Sequence, residues 1–554
     1  MSSISRNEKG DIAAAVDDVS PHQDHIGAGP DTGSHELTKG DLEIHHKNLF
    51  GTYIDVTHVM PGADEMYNAK IQIVNQAILD IGMGRYQWQL TILTGFGWFV
   101  DNIWMFSLAI ISPVIIPEFH VKKIAYLTVG QYVGLILGST GWPISADFIG
   151  RRWAFNLSLG LAGMCGLVGA GMPSFTGLCV IAAFVGISAG GNQPVDSSIF
   201  LEFIPATHQW LLTVQGVYWG VGKTVAAAIA WPLIANYSCA KTATNCTYEQ
   251  NMGWRYTYWT FGAVTLFMFI CRFIFRLHET PKYLLGRGRD AEAVEVLRKV
   301  AAYNGTTTWL TVDHFRAIDE RFAAAAADAD VALATETTNA ATLRRAVEAF
   351  RPDKIMAVFG TKKGAISTIL LILIWSLIGL AWPLYNNFIT IYLQQKGVLF
   401  HSSLSKTYRN YLFQAMCAIP GCLIGGICVE LPRFGRKGAG ACCSILTGVF
   451  LFLFTRARSE GAVLAFTCLI SFSQNLTSGI LFAYTPETFA APVRGTGTGL
   501  CGGFYRVWGL IAAIITSFIG VTSSMPIWIA AGAWMVAGLT FLALPFESRA
   551  KASS

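Results

Sequence analysis

The sequence predicts an all-α membrane protein of twelve transmembrane helices arranged as two six-helix bundles. Three observations predict it. Apolar runs recur along the 554-residue chain, each near the ~20 residues that carry an α-helix across a bilayer. Only 14% of residues are charged against 53% hydrophobic, whereas a water-soluble domain carries about 25% charged residues. The runs also fall into two sets of six, separated by a long polar segment.

The predicted spans lie near 88–116, 125–146, 153–173, 176–200, 209–235 and 257–277, then 366–393, 407–428, 438–456, 461–484, 496–520 and 525–545. They imply a tail over 1–65, a first bundle over 66–277, a central loop over 278–364, a second bundle over 365–548 and a short tail over 549–554. Residues 1–65 are polar and lack an apolar core, so they read as a disordered cytosolic tail and not as a cleavable signal peptide. Their histidines, His22, His25, His35, His45, His46 and His58, are spaced too irregularly to suggest a metal site. The central loop holds DAEAVEVLRKVAAYNG and RFAAAAADADVALATE and reads as short helices plus linker.

Basic residues orient the chain, because cytosolic loops collect Lys and Arg. Arg151, Arg152, Arg433, Arg436, Lys437, Arg494 and the central loop fall on one side, and Lys122, Lys123 and Lys241 on the other. That side is predicted to be the cytosol and to hold both termini. The loop between spans five and six, SCAKTATNCTYE, carries Cys239 and Cys246, which could close one short disulfide. It also carries the glycosylation sequons at Asn236 and Asn245. Both features need a non-cytosolic compartment. They place the chain in the secretory pathway, with the plasma membrane ahead of a vacuolar or endosomal membrane.

The halves repeat. ADFIGRR (146–152) follows span two and VELPRFGRK (429–437) follows span eight, while LHETPKY follows span six and LPFESRA follows span twelve. An acid followed by Gly-Arg-Arg/Lys at matching places is the mark of a duplicated six-helix unit.

These residues also carry a resemblance. ADFIGRR and VELPRFGRK resemble the two copies of the major facilitator superfamily loop motif, which implies a cytosolic latch built from Asp147, Arg151, Arg152, Glu430, Arg433 and Arg436. ETPKYLL (279–285) and YTPETFAAPVRGTGTGL (484–500) resemble the sugar-porter motifs after helices six and ten. GRYQWQLTILTGFGWFVDNIW (84–104) and GGNQPVDSSIFLEFIP (190–205) look most like the synaptic-vesicle-protein-related branch and its fungal relatives. The resemblance spans about 70 to 548, with Pro143 and Phe148 departing from the first loop motif. It implies secondary transport of a small organic solute by alternating access.

Ionisable side chains within a span are costly, which makes them functional candidates. Asp101 lies near the middle of span one. It is the candidate proton carrier, as related symporters also place an acid there; the alternative is an ion pair that never titrates. Ser188, Asn192 and Asp196 share one face of span four, and Asp196 suits a gate with Arg494 or Arg152. Gln215, Trp219 and Lys223 share a face of span five, and Arg506 occupies the equivalent helix of the second half. Two cations at related depths suit an anionic solute; the alternative pairs Lys223 with Asp101 or Asp196. Asn386 in span seven, and Gln474 and Asn475 in span ten, offer amides for a polar ligand.

The expected activity is proton-coupled movement of a small carboxylate-bearing or polyhydroxylated compound by a monomer in the lipid bilayer. The alternatives are efflux by proton antiport and, from another class, a non-transporting receptor. Gly222-Lys223-Thr224 mimics the end of a phosphate-binding loop, but Val217 stands where that loop needs glycine. Neither a nucleophile-base set nor a metal cluster is evident, so no enzyme, cofactor or metal is expected. The formal charge of +5 is spread along the chain and gives no nucleic-acid footprint.

Overall fold

The computed structural model describes residues 65–545 apart from 210, 240–245, 276, 329–355, 357, 361, 400–402, 429–434, 490–493 and 522. The chain divides into two units, Met1–Thr57 and His58–Ser554, and every described residue belongs to the second.

The first half runs α1 (Glu65–Ile81), α2 (Arg85–Phe119), α3 (Ala125–Ile149), α4 (Arg151–Ala170), α5 (Phe175–Phe203), α6 (Leu211–Val214), α7 (Gly216–Tyr237) and α8 (Gly253–Ile274). Three loop helices follow: α9 (Pro281–Gly286), α10 (Asp290–Asn304) and α11 (Val312–Asp328). The second half runs α12 (Lys362–Asn386), α13 (Ile389–Leu399), α14 (Leu404–Met416), α15 (Ala418–Cys428), α16 (Gly435–Arg456), α17 (Glu460–Thr488), α18 (Arg494–Ile519) and α19 (Met525–Ala543). Among the described residues, 10 helices are long and apolar enough to cross a membrane. Two further segments complete the twelve. One is α3, whose Gln131 and glycines dilute its apolar character; the other is the eighth span, split into α14 and α15.

The splits have local causes. Pro420 has no N–H to give the Met416 carbonyl, and the chain breaks at Cys417 between α14 and α15. Pro383 likewise leaves the Gly379 carbonyl without its helical donor, and the seventh span breaks after Asn386 into α12 and α13. Span five is interrupted at Gln215, between α6 and α7.

Packing repeats between the halves. In the first, α3 lies on α5, α4 on α8 and α2 on α7; in the second, α15 lies on α17, α16 on α19 and α12 on α18. Span two matches eight, three matches nine, and one matches seven. The halves meet where α7 packs on α14 and α15, where α3 packs on α18, and where α2 meets α13. Large apolar side chains remain exposed on α4, α8 and α19, among them Met164, Phe267, Ile274 and Leu539. A helix apolar all round needs lipid on the face its neighbours leave bare.

Helix α1 is not part of either bundle. It packs on α9, α10 and α11, and Lys70 reaches Asp290 at 2.5 Å and Asp319 at 2.7 Å. The loop helices in turn hold the start of α2: the Tyr86 N–H donates to Asn304 Oδ1 at 3.0 Å, and Asn304 Nδ2 donates to Gln87 Oε1 at 2.8 Å.

Candidate functional site

Asp101 is buried in α2 and accepts a hydrogen bond from Asn192 Nδ2 on α5 at 2.8 Å. One turn further along α5, Asp196 meets the guanidinium of Arg272 on α8 at 2.8 Å, both side chains fully shielded. Arg272 also donates to the carbonyls of Phe155 on α4 and Leu93 on α2, and lies over the Phe155 ring at 3.5 Å. One arginine therefore ties four helices of the first half together. Gly97 makes this possible, since a Cβ there would collide with the Asp196 carboxylate. Asp196 thus pairs with Arg272 on span six and not with Arg152, one of the two partners the sequence suggested. The side chain of Arg494 lies outside the described residues.

Lys223 is 3% exposed. Its Nζ sits 4.4 Å from the centre of the Phe106 ring on α2. Its electrostatic neighbours are the thiols of Cys417, Cys422 and Cys468. The expected alternative, a pair with Asp101 or Asp196, does not form: those acids are engaged by Asn192 and Arg272. Phe106 packs its ring against Trp382 of span seven at 5.2 Å, so the lysine lies at the seam between the halves. Arg506 is elsewhere on that seam. It bonds the Gly502 carbonyl at 3.4 Å and lies within electrostatic range of Asp101, Tyr505 and Tyr132. The two cations are not brought to one point.

Two layers of contact between the halves bracket Lys223. Toward the end that carries Arg151, rings from both halves form a chain: Trp98 to Trp219 at 5.0 Å, Trp219 to Phe482 at 5.0 Å, Phe482 to Trp375 at 5.1 Å and Trp375 to Tyr505 at 5.7 Å. Trp219 is one turn from Lys223 in this direction. Toward the end that carries Cys239, Tyr408 Oη donates to the Ile110 carbonyl at 2.5 Å, Trp231 Nε1 donates to Ser405 Oγ at 3.0 Å, and Thr390 Oγ1 donates to the Ala109 carbonyl. Phe106 is one turn from Ile110.

The second half contributes neutral groups. Asn386 Nδ2 donates to Gln474 Oε1 at 3.0 Å, and Asn475 Nδ2 donates to the Ser471 carbonyl at 2.8 Å. Both polar atoms of Asn387 and of Gln414 are buried without a partner, as are Gln474 Nε2 and the hydroxyls of Tyr385 and Tyr411. Gln215 points elsewhere, donating to Thr94 Oγ1 at 2.7 Å. Charge is divided unevenly: among the described buried side chains, Asp101, Asp196, Glu202, Lys223, Arg255 and Arg272 belong to the six spans of the first half, and Arg436 is the one such residue of the second.

At the Arg151 end, the first loop motif is held within its own half. Arg151 pairs with Glu202 at the end of α5. Glu279 accepts from the Arg151 N–H at 3.0 Å and the Arg152 N–H at 3.4 Å, capping α4 with negative charge where a helix N-terminus favours it. Gly150 makes the turn at φ 96°, a region a side chain disfavours. Arg287 Nη2 donates to the Asp147 carbonyl at 2.9 Å. Lys282, beside this cluster, is pulled down to about 8 by burial and by the Arg151 charge. Glu430 and Arg433 lie outside the described residues, and Arg436 is buried at the start of α16.

At the other end, Cys239 and Cys246 are joined in a disulfide. Asn236 lies in α7, and Asn245 is outside the described residues. Sequence reasoning missed a second buried ion pair here. Arg255 reaches Glu118 at 2.5 Å, and Asn251 Nδ2 and Trp254 Nε1 donate to the same carboxylate at 2.8 Å. It also missed Glu202 and Arg272. Each sits at a span end, where a charge reads as interfacial, and the usable signal was its complement at another span end.

Comparison with known proteins fits this geometry. The family model described as Major Facilitator Superfamily matches residues 90–513. The MFS siderochrome iron transporter 1 of Ceriporiopsis subvermispora (strain B) is 42% identical over 88% of this chain and 93% of its own. The synaptic vesicle 2-related protein of Rattus norvegicus is 24% identical over 87% of this chain and 82% of its own. Among solved structures, the partially occluded inward open xylose transporter from E. coli aligns with a TM-score of 0.62 at 12% identity, covering 84% of this chain and 99% of that one.

Proposed function

The chain belongs to the Major Facilitator Superfamily, a multi-pass membrane transporter and not an enzyme, and from that premise we propose that it moves a small carboxylate-bearing organic solute, coupled to protons, through a site at the seam between its halves. The observation that carries the reading is Lys223: a buried amine at the seam with an aromatic ring beneath it and, among the described residues, no carboxylate paired with it. A buried cation without an anion costs several kcal/mol, and an anionic solute supplies the missing partner. The unpartnered amides of Asn387 and Gln414 and the free Nε2 of Gln474 offer donors and acceptors for the rest of the molecule. Asp101 is assigned the coupling proton. It is buried in α2, and its hydrogen bond comes from a neutral amide, so protonation breaks no ion pair.

In this reading the Arg151 end faces the cytosol. The ring layer of Trp98, Trp219, Phe482, Trp375 and Tyr505 closes the site on that side, and the Tyr408, Trp231 and Thr390 bonds close it on the other. Opening one layer while the other holds gives alternating access.

A thermal-shift screen of purified protein against carboxylates, sugars and amines tests the proposal. A ligand at 100 times its Kd stabilises by about 2.7 kcal/mol, and the stabilising compounds should be anions whose effect falls in Lys223→Gln. Stabilisation by neutral sugars alone would move the assignment to a sugar. The relative named as a siderochrome iron transporter supports a second reading, an iron-siderophore cargo. Ferric siderophores therefore belong in the same screen.

A further inference from the structure

Lys223 differs from the other deeply buried cations of the first half. Arg255 has Glu118 and Arg272 has Asp196, each as a close ion pair. Lys223 has the face of Phe106 and three thiols. A ring face returns to a cation only part of what an ammonium ion loses on leaving water. The surrounding helices do not make up the difference. On α2, Asp101 is bonded to Asn192 and Glu118 is paired with Arg255. Helices α7, α14 and α15 carry no Asp or Glu; α8 and α14 add the cations Arg255, Arg272, Lys406 and Arg409; and on α17, which carries Cys468, Glu460 is paired with Lys406 and the Glu487 side chain lies outside the described residues. Phe106 faces Nζ, and Cys417, Cys422 and Cys468 lie within electrostatic range of it.

We propose that Lys223 is a proton-linked anion receptor: its amine takes up a proton only as an anionic solute arrives, so each anion bound at this seam brings one proton with it. The proton comes from water on whichever side the site is open, and the nitrogen lone pair accepts it. The resulting ammonium pairs with the carboxylate. When the anion leaves, the ammonium loses its counter-charge and returns the proton. The pair crosses as a neutral unit, and the empty site resets without a buried charge. This rests on the anionic reading above and adds to it a second proton, distinct from the one assigned to Asp101.

Calorimetric titration in two buffers of different ionisation heat counts protons taken up per ligand bound. The probes are acetate, citrate, benzenesulfonate and glucose. Benzenesulfonate stays ionised at every working pH, so any proton taken up belongs to the protein. Above the midpoint of the amine, wild-type protein should take up about one proton more per anion than Lys223→Arg does, and anion affinity should fall about tenfold for each further pH unit, a change of about 1.4 kcal/mol. Glucose should bring none. Lys223→Arg, which cannot lose its charge, should still bind anions but keep only the uptake assigned to Asp101, and Lys223→Gln should lose the preference for anions.

Anion binding with no proton uptake in the wild type would overturn the linkage while leaving the anionic reading standing. Equal uptake in the wild type and Lys223→Arg would leave only the Asp101 proton and equally overturn it. Failure of every anion to bind better than glucose would remove the anionic reading and the linkage with it.

Discussion

Asp196 and Arg272 face each other at 2.8 Å with no solvent reaching either side chain, and the arginine's remaining bonds run to backbone carbonyls on two other helices. Such a pair adds little stability over a well-packed apolar substitute, but removing one member strands the other. Arg272→Met should therefore destabilise the protein by about 3–5 kcal/mol, and adding Asp196→Asn should recover part of the loss. Thermal unfolding of the single and double variants in detergent measures it. Equal stability of Arg272→Met and the wild type would mean the pair is not formed.

Asp101→Asn should abolish gradient-driven accumulation while leaving exchange of solute across the membrane measurable. The amide keeps the shape and the contact with Asn192 but cannot carry a proton. Counterflow and pH-jump uptake on one preparation separate the two properties. Accumulation at the wild-type level in the variant would falsify the coupling role.

The twelve spans were legible because a bilayer demands about 20 apolar residues whatever the neighbours are. Partners were harder to read. Asp196 was visible as a buried acid, but Arg272 sits in the last turn of α8, where an arginine is expected to reach out of the membrane. Only the convergence of α2, α4, α5 and α8 turns it inward. The isolation of Lys223 was equally hidden, since Asp101 and Asp196 were both available to it until Asn192 and Arg272 were seen to engage them. Helix α1 gave no signal as an apolar span because its order comes from docking on the loop helices, through contacts such as Lys70 with Asp290 and Asp319.

Lys282 predicts a pH dependence on the Arg151 side. Its midpoint falls from the ordinary 10.5 to about 8 in the folded protein through burial and the nearby Arg151 charge. Between those values the unfolded chain holds a proton that the folded chain has released, so stability rises with pH across that window and the penalty is full below about 8. Lys282→Met should raise the unfolding temperature at pH 7 and lose most of that advantage near pH 10. A constant difference at both pH values would show that the amine is not held in a disfavoured charged state.

The disulfide end should be non-cytosolic. In intact vesicles of known orientation, a membrane-impermeant maleimide applied after mild reduction should label Cys239 and Cys246 from the lumenal or extracellular side. A cysteine placed at Arg287 should label only from the opposite side. Labelling of both positions from one side would contradict the proposed orientation of the Arg151 end.

The uneven division of buried charge has an evolutionary consequence. The two halves pack alike, yet among the described residues the first buries the groups assigned to driving force and the second mostly amides and hydroxyls. On the proposed mechanism, selection can then change which compound is recognised by exchanging neutral side chains on α12, α14 and α17, without disturbing the titrating groups. Cargo can diversify within such a lineage while the energy source stays fixed, so relatives with this architecture can be named for chemically unrelated solutes.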